Sequence, residues 1–310
     1  ISRKTNSTHE IFTRFGYIFL IYSSMFLIPL LVVPFNLDEF IYIKYFITPG
    51  FIIAIIGFVL TRYYRKKNNY ISINEIEGCI VVVVGWIISS IAGAWPISAI
   101  TGYDFTLGLF ESVSGWTTTG LSVINIAEAP MILLLFRSTL QFVGGAGLAI
   151  VMLAAFTLPI GAGLYKIEGR NYQLVPNAVR SAKLVIKLYF LYTLFGILAL
   201  WAAGMSFFDA VNHSMTAVST GGFSTKAESI GYWDSALIEF IIIILMILGN
   251  MNFLTAYILL SGKIKSFLKN TEIRFASIIL LIFSVLIFIN NYSSFNNNIL
   301  KSLRVAFFET

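Results

Sequence analysis

The residues in this sequence whose types and spacing could bind a ligand lie in two short stretches rich in Thr, Ser and Gly. The stretch SVSGWTTTGLS (112–122) aligns without a gap on SMTAVSTGGFS (214–224) when Gly120 is placed on Gly222, and four of the 11 positions are identical. Main-chain carbonyl oxygens in such stretches can replace part of a cation's hydration shell, and glycine lets the backbone turn them towards one axis. The repeat therefore indicates a cation selectivity filter, although small residues also allow close helix packing.

Other kinds of chemistry find little support. The single cysteine, Cys79, cannot form an internal disulfide, and the two histidines, His9 and His213, are too few for a multi-ligand zinc site. The sequence contains neither HExxH nor GxSxG, which are signatures of metalloproteases and serine hydrolases. We therefore expect a protein that is not an enzyme and has no covalently bound cofactor. A purely structural membrane scaffold would leave the repeated stretches unexplained.

The composition places these stretches in an all-α integral membrane protein that lies in a lipid bilayer. Hydrophobic residues make up 57% of the 310 residues and charged residues 12%, compared with about 25% charged residues in soluble domains. Seven charge-free runs are long enough to cross a bilayer as helices. They are 15–37, 45–61, 78–103, 138–165, 188–208, 240–262 and 275–300. We expect the fourth helix to start earlier, near Pro130, because proline suits the first turn of a helix.

Each Thr/Gly stretch lies between two of these runs and follows an apolar segment of about a dozen residues, which is too short to cross. Such a segment fits a re-entrant helix, because backbone that leaves a helix at membrane depth must line a water-filled cavity or be buried in protein. Each unit then contains a span, a re-entrant pore loop and a second span. Two crossings per unit give successive units the same orientation, so we expect parallel repeats around an ion pore and not inverted repeats.

The basic residues predict the side of the membrane on which each loop lies. Sixteen of the 21 Lys and Arg residues lie before the first span or after the second, fourth and sixth. By the positive-inside rule these segments and the N-terminus are cytoplasmic, and the pore loops face outward. The net charge of +6 then reflects membrane topology, and no basic stripe with interleaved aromatic residues points to nucleic acid.

Arg137 is the basic residue that falls inside an expected span. A charge within the membrane is costly unless it is paired or hydrated. One hypothesis is that Arg137 supports the filter by pairing with Glu111 on the first re-entrant helix. The alternative is that its side chain extends to the outer surface. His213 aligns with Glu111 at the same offset of 102 residues, and we expect it to brace the second re-entrant helix.

Three segments resemble the Trk/Ktr/HKT superfamily of potassium and sodium uptake proteins, most closely the bacterial TrkH-type potassium uptake subunit. They are FESVSGWTTTGLSVI (110–124), RSTLQFVGGAGLAIVMLAAFTLP (137–159) and FFDAVNHSMTAVSTGGFSTKAESIGYW (207–233). The resemblance implies four span–loop–span units around one pathway, preceded by two extra transmembrane helices. The domains would be an N-terminal two-helix region at 1–71, a first pore repeat at 72–179, a second at 180–271 and the start of a third at 272–310. Because the chain starts with Ile1 and stops at Thr310, we expect a fragment.

By position, the resemblance assigns filter residues in both loops. They are Thr117, Thr118, Thr119, Gly120, Leu121, Ser219, Thr220, Gly221, Gly222 and Phe223. Among them, potassium would bind at Thr118, Thr119, Thr220 and Gly221. Glycine at positions 120 and 222 resembles the potassium-transporting members, whereas some sodium-preferring relatives have serine at the first position.

The implied function is potassium transport across the cell membrane through a filter of backbone carbonyls. A sodium-conducting or potassium/sodium-symporting member of the same superfamily is the alternative. The resemblance also implies a multi-pass homodimer that associates with a cytoplasmic nucleotide-binding regulatory ring of the TrkA/RCK type. The small ligand that the resemblance implies for this chain is the potassium ion.

Overall fold

The computed structural model describes residues 2–64, 75–154, 178–292 and 298–310 of the chain. All the regular elements in these ranges are helical, as the sequence predicts. The α-helices are α1 (Ser2–Met25), α2 (Ile43–Tyr64), α3 (Glu75–Thr101), α4 (Phe105–Trp116), α5 (Met131–Ala154), α6 (Ala178–Ala202), α7 (Phe207–Val218), α8 (Ala236–Asn250), α9 (Phe253–Leu260), α10 (Ile264–Leu268), α11 (Thr271–Asn291) and α12 (Ile299–Glu309). Short 3-10 helices lie at Pro29–Phe35, Leu37–Tyr42 and Ser229–Trp233.

Five helical segments in the described part of the chain are long and apolar enough to cross a membrane. They are Ile11–Phe35, Leu37–Tyr64, Ile80–Thr101, Lys183–Ala202 and Thr271–Asn291. Two shorter apolar helices, Met131–Ala146 and Ala236–Asn250, lie where the fourth and sixth spans are predicted. Large apolar side chains on the outside of these helices, such as Phe51, Phe58 and Leu281, are more than half exposed, which suits contact with lipid.

The first predicted span, 15–37, is an α-helix only as far as Met25. The chain then continues in 3-10 turns that contain Pro29 and Pro34. Proline has no amide hydrogen, and its ring clashes with the carbonyl group four residues earlier, which for Pro29 is that of Met25, so it disfavours continuation of α1. A crossing segment at this place is confirmed by Ile11–Phe35, but its last turns are 3-10 and not α-helical.

The sixth predicted span, 240–262, is interrupted near its middle. α8 ends at Asn250, and Met251 has the extended backbone angles φ −68° and ψ 138°. Gly249 and Asn250 are poor helix formers, which accounts for a break at this point. α9 resumes the helix after two residues.

The seventh predicted span, 275–300, also ends early, because α11 ends at Asn291. α12 begins only after Asn298, whose side chain accepts a hydrogen bond from the Lys301 amide at 3.1 Å. Asparagine side chains compete with the helix backbone and favour caps. Asn298 therefore caps the start of α12, and residues 293–297 lie outside the described part.

α4 and α7 are the short helices that precede the two Thr/Gly stretches. Each has 12 residues, and both ends of α7 lie 102 residues after those of α4. At about 1.5 Å per residue each is roughly 18 Å long, which is too short to cross about 30 Å of hydrocarbon. α4 packs against α3 and α5, and α7 packs against α6 and α8. The order of span, short helix, loop and span is therefore present twice.

α5 lies at the junction of these two units. Buried apolar side chains form one cluster around α1, α2, α3 and α5 and another around α6, α7 and α8. α5 contributes Leu140 to the first cluster and Ala146 to the second, and it packs against α6 and α7. Its polar side chains can therefore reach both loops.

Candidate functional site

The two Thr/Gly stretches adopt the same backbone conformation. Thr118 and Thr220 both have a φ of 55°, and Gly120 and Gly222 have φ values of 82° and 81°. This left-handed region is open to glycine but costly for threonine. The chain thus repeats a strained conformation at positions 102 residues apart, which an ordinary connecting loop would not need.

The hydrogen bonds that join each short helix to its loop are also repeated. The Thr119 amide donates to the Ser114 carbonyl at 2.9 Å, and the Gly221 amide donates to the Thr216 carbonyl at 2.8 Å. The two preceding residues of each loop make matching pairs of bonds. Each helix therefore leads directly into its loop, and its C-terminal end, the negative end of the helix dipole, lies where the loop begins.

Hydroxyl groups hold the first loop in place. The Ser114 hydroxyl donates to the Leu121 carbonyl at 2.6 Å. The Thr117 hydroxyl donates to the Val113 carbonyl at 2.8 Å and lies 2.8 Å from the Thr119 hydroxyl. The hydroxyls of Thr117 and Thr119 thus have partners within the loop and its helix.

Burial alternates along the second loop. Ser219, Gly221 and Phe223 are buried, whereas Thr220 and Gly222 are exposed. A Cβ added to Gly222 would meet nothing within 4 Å. The exposed positions therefore border open space, and the buried positions face the protein.

The two loops meet at Gly120. A Cβ added there would overlap the carbonyl oxygen of Gly221 and would lie 3.3 Å from its carbonyl carbon. It would also lie 3.8 Å from the Cα of Gly222. Because the φ of Gly120 is positive as well, both space and backbone conformation require glycine at this position.

The structure brings Arg137 and Glu111 together. The Nε atom of Arg137 lies 2.7 Å from Oε1 of Glu111, and the two side chains are 1% and 0% exposed. The carboxylate of Glu111 also accepts hydrogen bonds from the Ser122 hydroxyl and the Val123 amide, both at 2.9 Å. Arg137 is thus buried inside the protein, and its side chain does not extend to the surface.

Arg137 contacts both loops. Its Nη2 atom donates to the Ser122 hydroxyl of the first loop at 2.8 Å, and Nη1 donates to the Ser224 carbonyl of the second at 3.3 Å. The guanidinium carbon lies 4.1 Å from the centre of the Phe223 ring, which is a favourable cation–π distance. One buried cation therefore links the segments that leave the two loops.

His213 occupies the position in the second unit that Glu111 occupies in the first. Its Nε2 atom lies 3.0 Å from the Ser224 hydroxyl, and its Nδ1 atom lies 2.9 Å from the Asp209 carbonyl. Ser224 lies 102 residues after Ser122, the hydroxyl partner of Glu111. Different side chains thus hold the same loop position in the two units.

Gln141 is a loop contact that the sequence reasoning does not identify. Its Nε2 atom donates to the Gly221 carbonyl at 2.8 Å, and its Oε1 atom accepts from the Phe223 amide at 3.0 Å. The signal available in the sequence is an uncharged polar residue one helical turn after Arg137 in an apolar helix, since a buried amide needs partners. Gly221, one of the predicted potassium ligands, therefore has its carbonyl oxygen engaged by α5.

Glu39 is a second residue that the sequence reasoning misses. It is buried, and its carboxylate accepts hydrogen bonds from the amides of Met131 and Ile132, both at 2.7 Å. These amides are unpaired donors of the first turn of α5. Because Glu39 lies 92 residues before Met131, spacing along the chain gives no signal for this cap.

Glycines bring the second span of each unit close to the end of its short helix. A Cβ on Gly144 would overlap the carbonyl oxygen of Trp116, and one on Gly249 would overlap that of Val218. Trp116 and Val218 are the last residues of α4 and α7.

Among the described residues, no group of three or more His, Cys, Asp or Glu side chains could hold a metal ion.

Five helical segments long and apolar enough to cross a membrane, together with two short helices that are each followed by the same strained Thr/Gly loop, define a multi-pass membrane protein. The chain belongs to the TrkH family, described as cation transport proteins, whose profile matches residues 43–301. The family is one of cation transporters and not of enzymes.

Individual relatives agree with this assignment. The chain is 34% identical to the Trk system potassium uptake protein TrkG and 35% identical to TrkH, both of Escherichia coli K12; it matches over 86% and 84% of its own length. It is 35% identical, over 79% of its length, to an uncharacterized cation transporter of Methanocaldococcus jannaschii. The chain spans about half the length of these relatives, 56% of the first two and 51% of the third.

A solved structure shows the same fold. The crystal structure of the potassium transporter TrkH from Vibrio parahaemolyticus matches 97% of this chain with a TM-score of 0.83 and 26% sequence identity. The match covers 63% of that protein. The arrangement of helices and loops described above is therefore that of a TrkH-type membrane protein.

Proposed function

We propose that this chain forms the filter region of a potassium transport subunit in the cell membrane, in which ions pass a ring of main-chain carbonyl oxygens. The observation that carries the proposal is the shared conformation of the two loops, with left-handed residues at 118 and 120 and again at 220 and 222. A strained backbone that recurs at matched positions suits a site that must hold oxygen atoms in fixed places. The relatives named as potassium uptake proteins support potassium as the ion.

The proposed ligands are main-chain oxygens of Thr118, Thr119, Thr220 and Gly221, next to the filter glycines Gly120 and Gly222. A cation that enters the filter gives up part of its hydration shell, and these oxygens replace it. The C-terminal ends of α4 and α7 add negative partial charge near the start of each loop, which favours a cation. No covalent chemistry is required.

In this proposal Arg137 and Glu111 support the filter and do not bind the ion. Their buried pair anchors Ser122 and Val123 of the first loop and reaches Ser224 of the second. Such a pair stabilises one arrangement of the two loops, because moving either loop would leave a buried charge without a partner.

The proposed organisation follows the repeat. A two-helix region covers 1–71, pore repeats cover 72–179 and 180–271, and a third begins in 272–310. The concentration of basic residues in alternate loops supports a cytoplasmic N-terminus and outward-facing filters. The whole transport subunit would form a homodimer and associate with a cytoplasmic nucleotide-binding ring of the TrkA/RCK type.

Replacement of Gly120 by serine tests this function. In liposomes that contain the full-length protein, we expect potassium flux to exceed sodium flux. The Gly120→Ser variant should lose roughly tenfold of that preference, because its side chain displaces the Gly221 carbonyl.

Gly102→Ser is a matched control, since Gly102 also has a positive φ of 73° but has nothing within 4 Å of an added Cβ. It lies between α3 and α4, outside both loops, and it should keep the wild-type preference. A wild-type preference for sodium would support the sodium-conducting alternative. If neither ion passes and Gly120→Ser changes nothing, the filter assignment is wrong.

A further inference from the structure

The carbonyl oxygen of Gly221 lies in the contact between α5 and the two loops. It is 2.8 Å from Nε2 of Gln141, and both residues are buried. It is also the atom that a side chain at Gly120 would overlap. The neighbours of Gly221, Thr220 and Gly222, are the exposed residues of this loop. The second loop thus has one inward-facing carbonyl between two residues that border open space.

The orientation of the Gln141 amide follows from its partners. A carbonyl oxygen can only accept a hydrogen bond and a main-chain amide can only donate one, so Nε2 must face Gly221 and Oε1 must face Phe223. The two bonds straddle Gly222, whose φ is 81°. With its donor and its acceptor both engaged on one loop, Gln141 restricts rotation of the peptide groups on either side of Gly222.

We propose that Gln141 is a positioning residue of the filter. It holds the Gly221 carbonyl in the contact between the loops and leaves the carbonyls of Thr220 and Gly222 to supply the ion ligands of the second loop. The inference rests on the proposed potassium filter and refines it, because Gly222 replaces Gly221 in the ligand set. A residue of the first unit thereby sets the ligand geometry of the second.

The same contact explains why the first loop has glycine at position 120. A side chain at 120 would push the Gly221 carbonyl away and strain its bond to Gln141. Once that bond is absent, the carbonyl is free to turn, and a side chain at 120 should cost less. The effects of changes at 120 and 141 should therefore be coupled, as is common for residues that share a partner.

The test compares Gln141→Met, Gly120→Ala and the double variant in the full-length protein. Methionine fills a similar volume but makes neither bond, so Gln141→Met should lower the preference for potassium over sodium by about tenfold. The double variant should lose much less than the product of the two single losses. Thr139→Val is the matched control: its buried hydroxyl donates only to Leu135 of its own helix at 2.8 Å, and its loss should leave the preference unchanged.

Unfolding temperatures of the wild type, the two single variants and the double variant provide a second readout. They should show the same coupling between positions 120 and 141. If Gln141→Met does not fold, Gly221→Ala replaces it, because a Cβ there would overlap the Gln141 amide from the loop side. A wild-type preference in Gln141→Met or Gly221→Ala, or additive effects in the double variant, would overturn the positioning role. If the wild type conducts neither ion, the filter proposal fails. The unfolding temperatures alone then decide whether Gly120, Gly221 and Gln141 are in contact.

Discussion

At the scale of single residues, Arg137 shows how this bundle accommodates a buried charge. The guanidinium group has a carboxylate, a hydroxyl, a carbonyl and an aromatic ring as partners. Burying an ion pair gains little net stability, but removing one partner leaves an uncompensated charge. The pair therefore acts mainly to fix one arrangement of the segments that it contacts.

The Arg137→Met variant should lose about 3–5 kcal/mol of stability, because it leaves the carboxylate of Glu111 buried and unpaired. Adding Glu111→Gln should recover part of the loss, since a neutral amide no longer carries a buried charge. Unfolding of the purified protein in detergent measures both effects. Asp234→Asn is the control: Asp234 is 68% exposed in its pair with Arg304, so its melting temperature should stay near wild type. A further loss on adding Glu111→Gln would contradict the pairing.

Residue types and spacing predict one part of this site better than another. An arginine inside an apolar span and a glutamate on a repeated short helix are costly residues, so their juxtaposition could be anticipated. Gln141 is an ordinary polar residue whose partners lie 80 and 82 residues away. Its contact depends on how the two units pack, which no local pattern encodes.

At the scale of elements, α5 connects the N-terminal helices to both loops. Glu39, which precedes α2, caps the first turn of α5, while Arg137 and Gln141 on the same helix contact the loops. A carboxylate at a helix N-terminus satisfies free amides and interacts favourably with the helix dipole. The N-terminal pair of helices therefore positions the helix that holds the two Thr/Gly loops.

Replacing Glu39 by glutamine should destabilise the protein by about 1–2 kcal/mol, because an amide has only one oxygen for the two amide donors and no charge. The melting temperature in detergent measures this change. Asp38→Asn is a matched control, since Asp38 is adjacent but exposed, and it should melt like the wild type. Equal melting temperatures for Glu39→Gln and Asp38→Asn would contradict the cap.

Sequence patterns locate the elements but not all of their ends. The start of α5 at Met131 agrees with the proline at position 130, and the short helices α4 and α7 follow from the repeat. The sequence does not predict the break at Met251, because an apolar run of sufficient length indicates a continuous span, whereas helix propensity at Gly249 and Asn250 is a local and weaker signal.

At the scale of the whole molecule, two similar units lie side by side, and α5 of the first packs against α6 and α7 of the second. Their loops repeat the same left-handed φ values although only four of 11 aligned residues are identical. Parallel units place equivalent loops at the same level of a membrane, as a filter built from several loops requires. The match to a solved potassium transporter over 97% of the chain supports this arrangement.

The most direct test of the filter is the position of a bound cation. Crystals of the full-length protein grown with thallium in place of potassium would reveal the ion by its anomalous scattering. We predict a peak between the two loops, coordinated by main-chain oxygens that include those of Thr118, Thr119 and Thr220. Ordered thallium found elsewhere in the protein, with no peak between these loops, would contradict the account.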